Sequence, residues 1–291
     1  MICDGNQLSV VIPAKNEGAS LAGLLPELAS LLPGAEIIVV DDGSTDGTGD
    51  VARQAGALVI THPYSKGNGA AIKSGIRRAA RDIVICMDGD SQHRPEDIPR
   101  LVAKLHDGGY DMVVGARVSR QSQAGLHRAA ANGFYNRFAS WMTGHEVMDL
   151  TSGFRVVKAG LFKRFLYMLP NGFSYPTTIT MSFFRSGYSV AYEPIEVDKR
   201  IGKSHIRLWR DGVRFLLIIF KIGTLFSPLK LFLPISLVFF LTGLGYYAYT
   251  FASSGRFTNM SALLFITSVL IFLIGLVSEQ ITALIYRDRE D

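Results

Sequence analysis

Short aliphatic runs separated by turn residues dominate the N-terminal part of the chain. Leu8–Ile12 (LSVVI), Glu36–Val40 (EIIVV), Ala57–Thr61 (ALVIT), Ile83–Met87 (IVICM) and Met112–Gly115 (MVVG) are nearly continuous in apolar character, as strands buried on both faces are. Between them helical patterns recur: Leu21, Leu24, Leu25, Leu28 and Leu31 share one face, with Pro26 predicted to kink that helix or shift its start. The alternation of strand and helix predicts an α/β domain with a mainly parallel, Rossmann-like sheet covered by helices. Ligands of such sheets gather beyond the carboxyl ends of the strands.

From Ala116 the pattern loosens into a helical stretch near Leu126–Met142, a loop at Glu146–Gly153 and mixed elements up to Lys199. Leu208–Phe226 begins amphipathic, with Arg207, Arg210 and Arg214 set against Leu208, Trp209 and Val213, and then turns apolar. It is too short to span a bilayer and is predicted to lie in the interface, its arginines snorkelling to headgroups. Leu231–Phe251 and Met260–Val277, the latter extended by Ile281–Tyr286, are long enough to cross a hydrocarbon core of roughly 30 Å. The expected organisation is an α/β domain over 1–204, interface helices over 205–228 and a transmembrane hairpin over 229–291. Arg256 is the one cation in the connecting loop, whereas Lys221, Lys230, Arg287 and Arg289 flank the other ends; the positive-inside rule then puts both termini in the cytosol.

Composition agrees with lipid contact: 48% of the 291 residues are hydrophobic. The two cysteines, Cys3 and Cys86, are too few for a disulfide framework and are expected as reduced thiols. Met1–Gln7 is polar and Pro13 stops the first apolar run, so no signal peptide is expected. Net charge is +5, with basic residues thickening over Lys199–Lys230. That placement favours an anionic membrane surface or phosphate ligands over nucleic acid.

Acidic clusters fall where strands end. Asp41 and Asp42 follow the second run, in VVDDGSTDGT, and Asp88 and Asp90 follow the fourth, in MDGDSQH. Both pairs are predicted to open onto one rim. Two carboxylates one residue apart, with Gln92 and His93 beside them, supply hard oxygen ligands for Mg²⁺ or Mn²⁺ while leaving positions for a substrate diphosphate. The glycine-rich KGNGAAIKSG, Lys66–Gly75, fails as a dinucleotide fingerprint, because Ile72 stands where the third glycine belongs and the stretch follows the third strand. Lys66 and the free amides of that helix start remain candidate nucleotide contacts. His93 and His205 are read as hydrogen-bonding loop residues, and Glu279, inside the second span, as lying near the interface or pairing within an oligomer.

Taken together, VIPAKNE (Val11–Glu17), DDGSTDGT, KGNGAA, DGDSQHRPEDIP (Asp88–Pro99), VGAR (Val114–Arg117) and DLTSGFR (Asp149–Arg155) resemble the family 2 glycosyltransferases of GT-A fold. More narrowly, they resemble dolichol-phosphate mannose synthases and bacterial polyprenyl-phosphate glycosyltransferases with a two-helix anchor. The resemblance implies that Pro13, Glu17 and Asp42 contact the nucleoside and that Asp88, Asp90 and Gln92 hold metal and diphosphate. It makes Arg117, Arg128, Arg200 and Lys203 phosphate ligands, and pairs Arg128 with Asn132, where the family's serine stands, on the lipid phosphate. Asp149 falls where inverting members place a catalytic carboxylate; it either orients a sugar hydroxyl or the acceptor, or caps its loop.

The expected reaction is inverting transfer of one sugar, from GDP-mannose or else a UDP-hexose such as UDP-glucose, to a polyprenyl or dolichyl phosphate. Two rivals are a processive polysaccharide synthase, which would carry a Q-x-x-R-W element that neither Trp141 nor Trp209 provides, and a non-catalytic membrane scaffold. Expected partners are the donor, the lipid phosphate acceptor and membrane lipids, with a homo-oligomer as a further candidate.

Overall fold

The computed structural model of the chain describes residues 5–117, 126–172, 175–197, 220–221 and 223–287, with the side chains of 126–132 and 287 excepted. By its internal contacts the chain divides into Met1–Ser204 and His205–Asp291. Among the described residues the first unit holds seven strands: β1 (Leu8–Ala14), β2 (Glu36–Asp41), β3 (Leu58–Thr61), β4 (Ile83–Cys86), β5 (Met112–Arg117), β6 (Arg155–Lys158) and β7 (Val190–Ile195). Its helices are α1 (Gly18–Leu31), α2 (Thr48–Gln54), α3 (Asn68–Arg78), α4 (Ile98–Asp107), α5 (Leu126–Thr143), α6 (Ala159–Arg164) and α7 (Tyr175–Arg185).

The strands form one sheet in the order β3-β2-β1-β4-β6-β5-β7. The pairs β1–β2, β2–β3, β1–β4 and β5–β7 are parallel, and β6 alone runs opposite, between β4 and β5. The five aliphatic runs became β1 to β5, and burial explains them: Val10, Val39, Ile85 and Val113 are each fully buried. β1 sits where the strand order reverses, which opens a crevice beyond its carboxyl end. Ala14, Asp41, Cys86 and Arg117 end their strands on that edge, and the antiparallel β6 starts there, with Arg155 opposite Cys86.

Pro26 neither breaks α1 nor moves its start. The helix runs through it because Leu21, Leu24, Leu25 and Leu28 are buried in the core while Pro26 lies on the solvent side, where a missing backbone bond is least costly. The amphipathic reading of Leu208–Phe226 falls largely outside the described residues.

In the second unit, α8 (Pro228–Ser254) and α9 (Asn259–Arg287) are long and apolar enough to cross a membrane. They pair as an antiparallel hairpin. Gly255 ends α8 at φ 62°, returning its N–H to the Phe251 carbonyl, the left-handed stop that glycine takes without strain. Ser236 and Ser268 hydroxyls each donate to the other's backbone carbonyl at 2.9 Å. Gly243 lies against Leu264 and Phe265, and Gly275 against Phe232, so close that a Cβ would crowd them; small residues let membrane helices approach in this way. Glu279 accepts the Leu229 N–H at 3.2 Å, in the first turn of α8. This carboxylate therefore caps a helix within its own hairpin.

Candidate active site

The turn after β1 and the turn after β2 are stitched into one rim. Asn16, at φ 56°, accepts the Thr45 N–H at 2.8 Å and donates its own N–H to Ser44 Oγ at 2.9 Å. Asp46 accepts N–H groups from Gly18 and Thr48, and Thr48 Oγ1 accepts the Glu17 N–H. Glu17 and Pro13 thus stand at this rim by way of a backbone seam that DDGSTDGT supplies. Asn16 and Ser91, at φ 58°, are the non-glycine residues with positive φ among those described. Both border the crevice, where strained backbone tends to collect.

Asp41 and Asp42, expected on the same rim as Asp88 and Asp90, are engaged by neighbouring protein groups. Asp41 accepts the Ser44 N–H at 2.9 Å and lies against Gly49. Asp42 accepts four hydrogen bonds: from His62 Nδ1 and Ser65 Oγ at 2.7 Å, the Lys66 N–H at 2.8 Å and the Gly67 N–H at 2.9 Å. Burial pushes its carboxyl up, but His62, the Lys66 amide, Ser65 and the Gly67 amide outweigh burial and bring it down to about 2. His62, itself bonded to Ser74 at 2.9 Å, completes a buried chain that no local spacing announces.

The helix start at Lys66–Gly69 is likewise occupied. The Gly69 and Ala70 N–H groups donate to the carbonyls of Gly172 and Asn171, and Lys73 Nζ donates to the Leu169 carbonyl at 3.1 Å. A Cβ on Gly69 would stand 2.0 Å from the Pro170 carbonyl oxygen. These amides hold a protein loop in place of a phosphate, which corrects the reading made from the glycine pattern. The Lys66 ammonium lies 5.9 Å from the Tyr64 ring centre.

Beyond β4 the chain turns through Asp88, Asp90 and Gln92. Asp90 accepts the Gln92 N–H at 3.2 Å. His93 is buried and stacked 5.0 Å from Phe154, and its Nδ1 accepts the Asp88 N–H at 3.3 Å. Burial lowers its pKa against the pull of Asp88 and Asp90, so a neutral ring accepts this bond. Arg117 and Asp149 also act on His93 electrostatically, so all four charged groups lie within electrostatic reach of this ring.

Arg117, at the end of β5, is held by Asp149 through Nε at 2.7 Å and Nη2 at 2.9 Å, with Thr151 Oγ1 2.6 Å from Nη2. Burial raises the Asp149 pKa, but the Arg117 hydrogen bond and charge reverse that and leave it lowered. Asp149 also accepts the Thr151 and Ser152 N–H groups at 3.1 Å. Asp149 caps its loop, one of the two readings, and also clamps Arg117, which neither reading named. Arg128 and Asn132 belong to α5, their side chains outside the described residues, as are Arg200 and Lys203 altogether.

Among the described residues no group of three or more His, Cys, Asp and Glu side chains closes around a cation. Asp88, Asp90 and the Gln92 carboxamide are nevertheless hard oxygen donors whose short set suits Mg²⁺ or Mn²⁺ completed by a substrate diphosphate. The donor chemistry fits the group.

Comparison with known proteins agrees with this geometry. The model of glycosyl transferase family 2 matches residues 9–166, and that of the GtrB C-terminal hairpin matches 227–284. The dolichyl-phosphate hexose transferase of Haloferax volcanii is 29% identical over 209 residues, 71% of this chain and 90% of that protein. The undecaprenyl-phosphate 4-deoxy-4-formamido-L-arabinose transferase of Serratia proteamaculans is 38% identical over 153 residues, 49% of this chain and 46% of that protein. The chain thus spans less than half the length of that second relative. Glucosyl-3-phosphoglycerate synthase of Mycobacterium tuberculosis, solved with Mn²⁺, UDP-glucose and phosphoglyceric acid, superposes with a TM-score of 0.60 at 23% identity, over 76% of this chain and 79% of that one. A carboxylate pair at the switch point of a mainly parallel sheet, an arginine clamped beside it and a match over more than half the sequence lead to one conclusion: the chain belongs to glycosyl transferase family 2 and is a glycosyltransferase.

Proposed function

We propose that the protein transfers a single sugar, with inversion, from a nucleoside diphosphate hexose to a polyprenyl phosphate at the cytoplasmic face of a membrane. The observation that carries the reading is the placement of Asp88 and Asp90 just after β4 and of clamped Arg117 at the end of β5, in a chain with two apolar, membrane-length helices. The names of the Haloferax and Serratia relatives support a lipid phosphate acceptor. A short anchor suits transfer of one sugar rather than processive polymerisation.

In this reading Asp88, Asp90 and Gln92 hold Mg²⁺ or Mn²⁺, which when bound neutralises charge on the departing diphosphate. Pro13 and Glu17 border the nucleoside. Asp42 serves it indirectly, by shaping the Ser65–Gly67 turn. A phosphate monoester has a second pKa of about 6 and is largely dianionic at neutral pH, so the acceptor oxygen needs no strong base. The protein's task is to align that oxygen behind the anomeric carbon. Arg117, with its orientation fixed by Asp149, is assigned to a phosphate; Arg128, Asn132, Arg200 and Lys203 are assigned to the acceptor or the diphosphate. Both termini are assigned to the cytosol.

The test is transfer of label from GDP-mannose, UDP-glucose and other nucleotide-sugars to polyprenyl phosphate by detergent-purified protein with Mn²⁺ or Mg²⁺. Metal-dependent labelling of lipid from one donor is the expected outcome and names the sugar. Asp90→Asn should abolish it, by at least about a hundredfold, without unfolding the protein. No lipid labelling from any donor overturns the acceptor assignment, and a metal-independent transfer overturns the role given to Asp88 and Asp90.

A further inference from the structure

We propose that Gly153, held from below by Arg155 and Tyr175, positions the Asp88 carboxylate for the divalent cation; the inference rests on the metal-dependent reading above. A Cβ at Gly153 would lie 2.8 Å from Asp88 Oδ2 and 3.2 Å from both its Cγ and Oδ1. Three near-equal distances mean that the carboxylate lies broadside on the bare Cα of Gly153. A Cβ that close must turn or displace the Asp88 carboxylate, since all three atoms of the group lie within 3.2 Å of it.

The backbone that presents Gly153 is itself gripped. Arg155 Nη2 donates to the Ser152 carbonyl, and the Tyr175 hydroxyl donates to the Gly153 carbonyl at 3.1 Å. Two successive carbonyls, those of Ser152 and Gly153, are thereby held. Arg155 is fully buried; its Nη1 donates to the Pro176 carbonyl at 3.1 Å and to Thr180 Oγ1 at 3.2 Å, and its guanidinium lies 5.7 Å from the centre of the Tyr175 ring. Among the described residues its Nε has no partner and no carboxylate pairs with it. Stability alone does not call for a guanidinium here, since taking an ion out of water is costly unless it is paired. What the arginine does supply is a rigid fork, which a lysine lacks, on the loop that faces Asp88.

The experiment is Mn²⁺ binding by the full chain in detergent, followed from the free-ion EPR signal with nucleoside diphosphate present, for wild type, Gly153→Ala and Tyr175→Phe. Gly153→Ala should weaken Mn²⁺ binding about tenfold or more, the range seen when groups that orient metal ligands are changed. Tyr175→Phe, which keeps the ring and removes only the hydroxyl, should shift it in the same direction by a smaller factor, with unchanged far-UV CD. Raising Mn²⁺ should restore kcat in both. Wild-type binding of Mn²⁺ that neither folded variant weakens overturns this inference alone. A wild-type chain that binds no Mn²⁺ overturns the metal reading and this inference with it. Should Gly153→Ala not fold, Tyr175→Phe alone decides.

Discussion

Asp149 grips Arg117 with both carboxylate oxygens, one on Nε and one on Nη2. A fork held at two points cannot swing, so the remaining guanidinium edge faces a fixed direction. Asp149→Asn keeps the loop-capping oxygen and replaces one acceptor with a donor aimed at the arginine. The variant should lose about 2 kcal/mol of stability, and its kcat should fall more than its KM for the nucleotide-sugar rises. Arg117→Lys, which has no fork, should not restore the rate. Chemical denaturation and steady-state kinetics check both.

Asp42 makes stability depend on acid. Its carboxyl stands at about 2 in the folded chain against an ordinary 3.8, so the folded state favours the ionised form. That contribution, about 2 kcal/mol, is complete above pH 4 and is lost as pH falls through the folded value. Asp42→Asn should therefore be less stable than wild type at neutral pH, with the gap closing toward pH 2. Unfolding midpoints measured across that window give the answer; a gap that does not narrow assigns the effect to lost hydrogen bonds alone.

Two glycines on helices should answer to alanine in opposite ways. Gly69→Ala places a methyl against the Pro170 carbonyl and should cost about 1–3 kcal/mol, loosening the loop that α3 holds. Gly23→Ala, on the outer side of α1 with nothing near its Cβ, should gain roughly 0.5–1 kcal/mol. Thermal melts of the two variants separate a seam from an empty surface.

Much of this was legible from residues alone, and the exceptions share a cause. Runs such as VVI and IVIC announce β1 and β4 because strands buried on both faces need no polar positions. RVVK, by contrast, offers two apolar residues and a buried arginine; β6 becomes a strand only because β4 and β5 stand on either side of it. The Asp88–Gln92 turn reads as chemistry because its donors are neighbours in sequence. Asp42 reads the same way, yet its partner His62 lies 20 residues on and changes its role. The Gly67–Gly69 stretch misleads for the same reason: its partners, Asn171 and Gly172, lie about a hundred residues downstream, and local pattern carries no trace of them.

Glu279→Leu should destabilise the hairpin by about 1 kcal/mol, the worth of a helix cap, while Glu279→Gln, which retains an acceptor oxygen, should lose less. Unfolding in detergent, followed by helical CD, tells the two apart.

The bond from Leu229 to Glu279 spans 50 residues, from the first turn of one apolar helix to the last part of the next. During synthesis, therefore, the first helix emerges with its Leu229 amide still open, and the group that receives it arrives only when most of the second helix has been made. The hairpin is thus completed as a pair, and a chain stopped after the first helix would lack the carboxylate that receives the Leu229 amide.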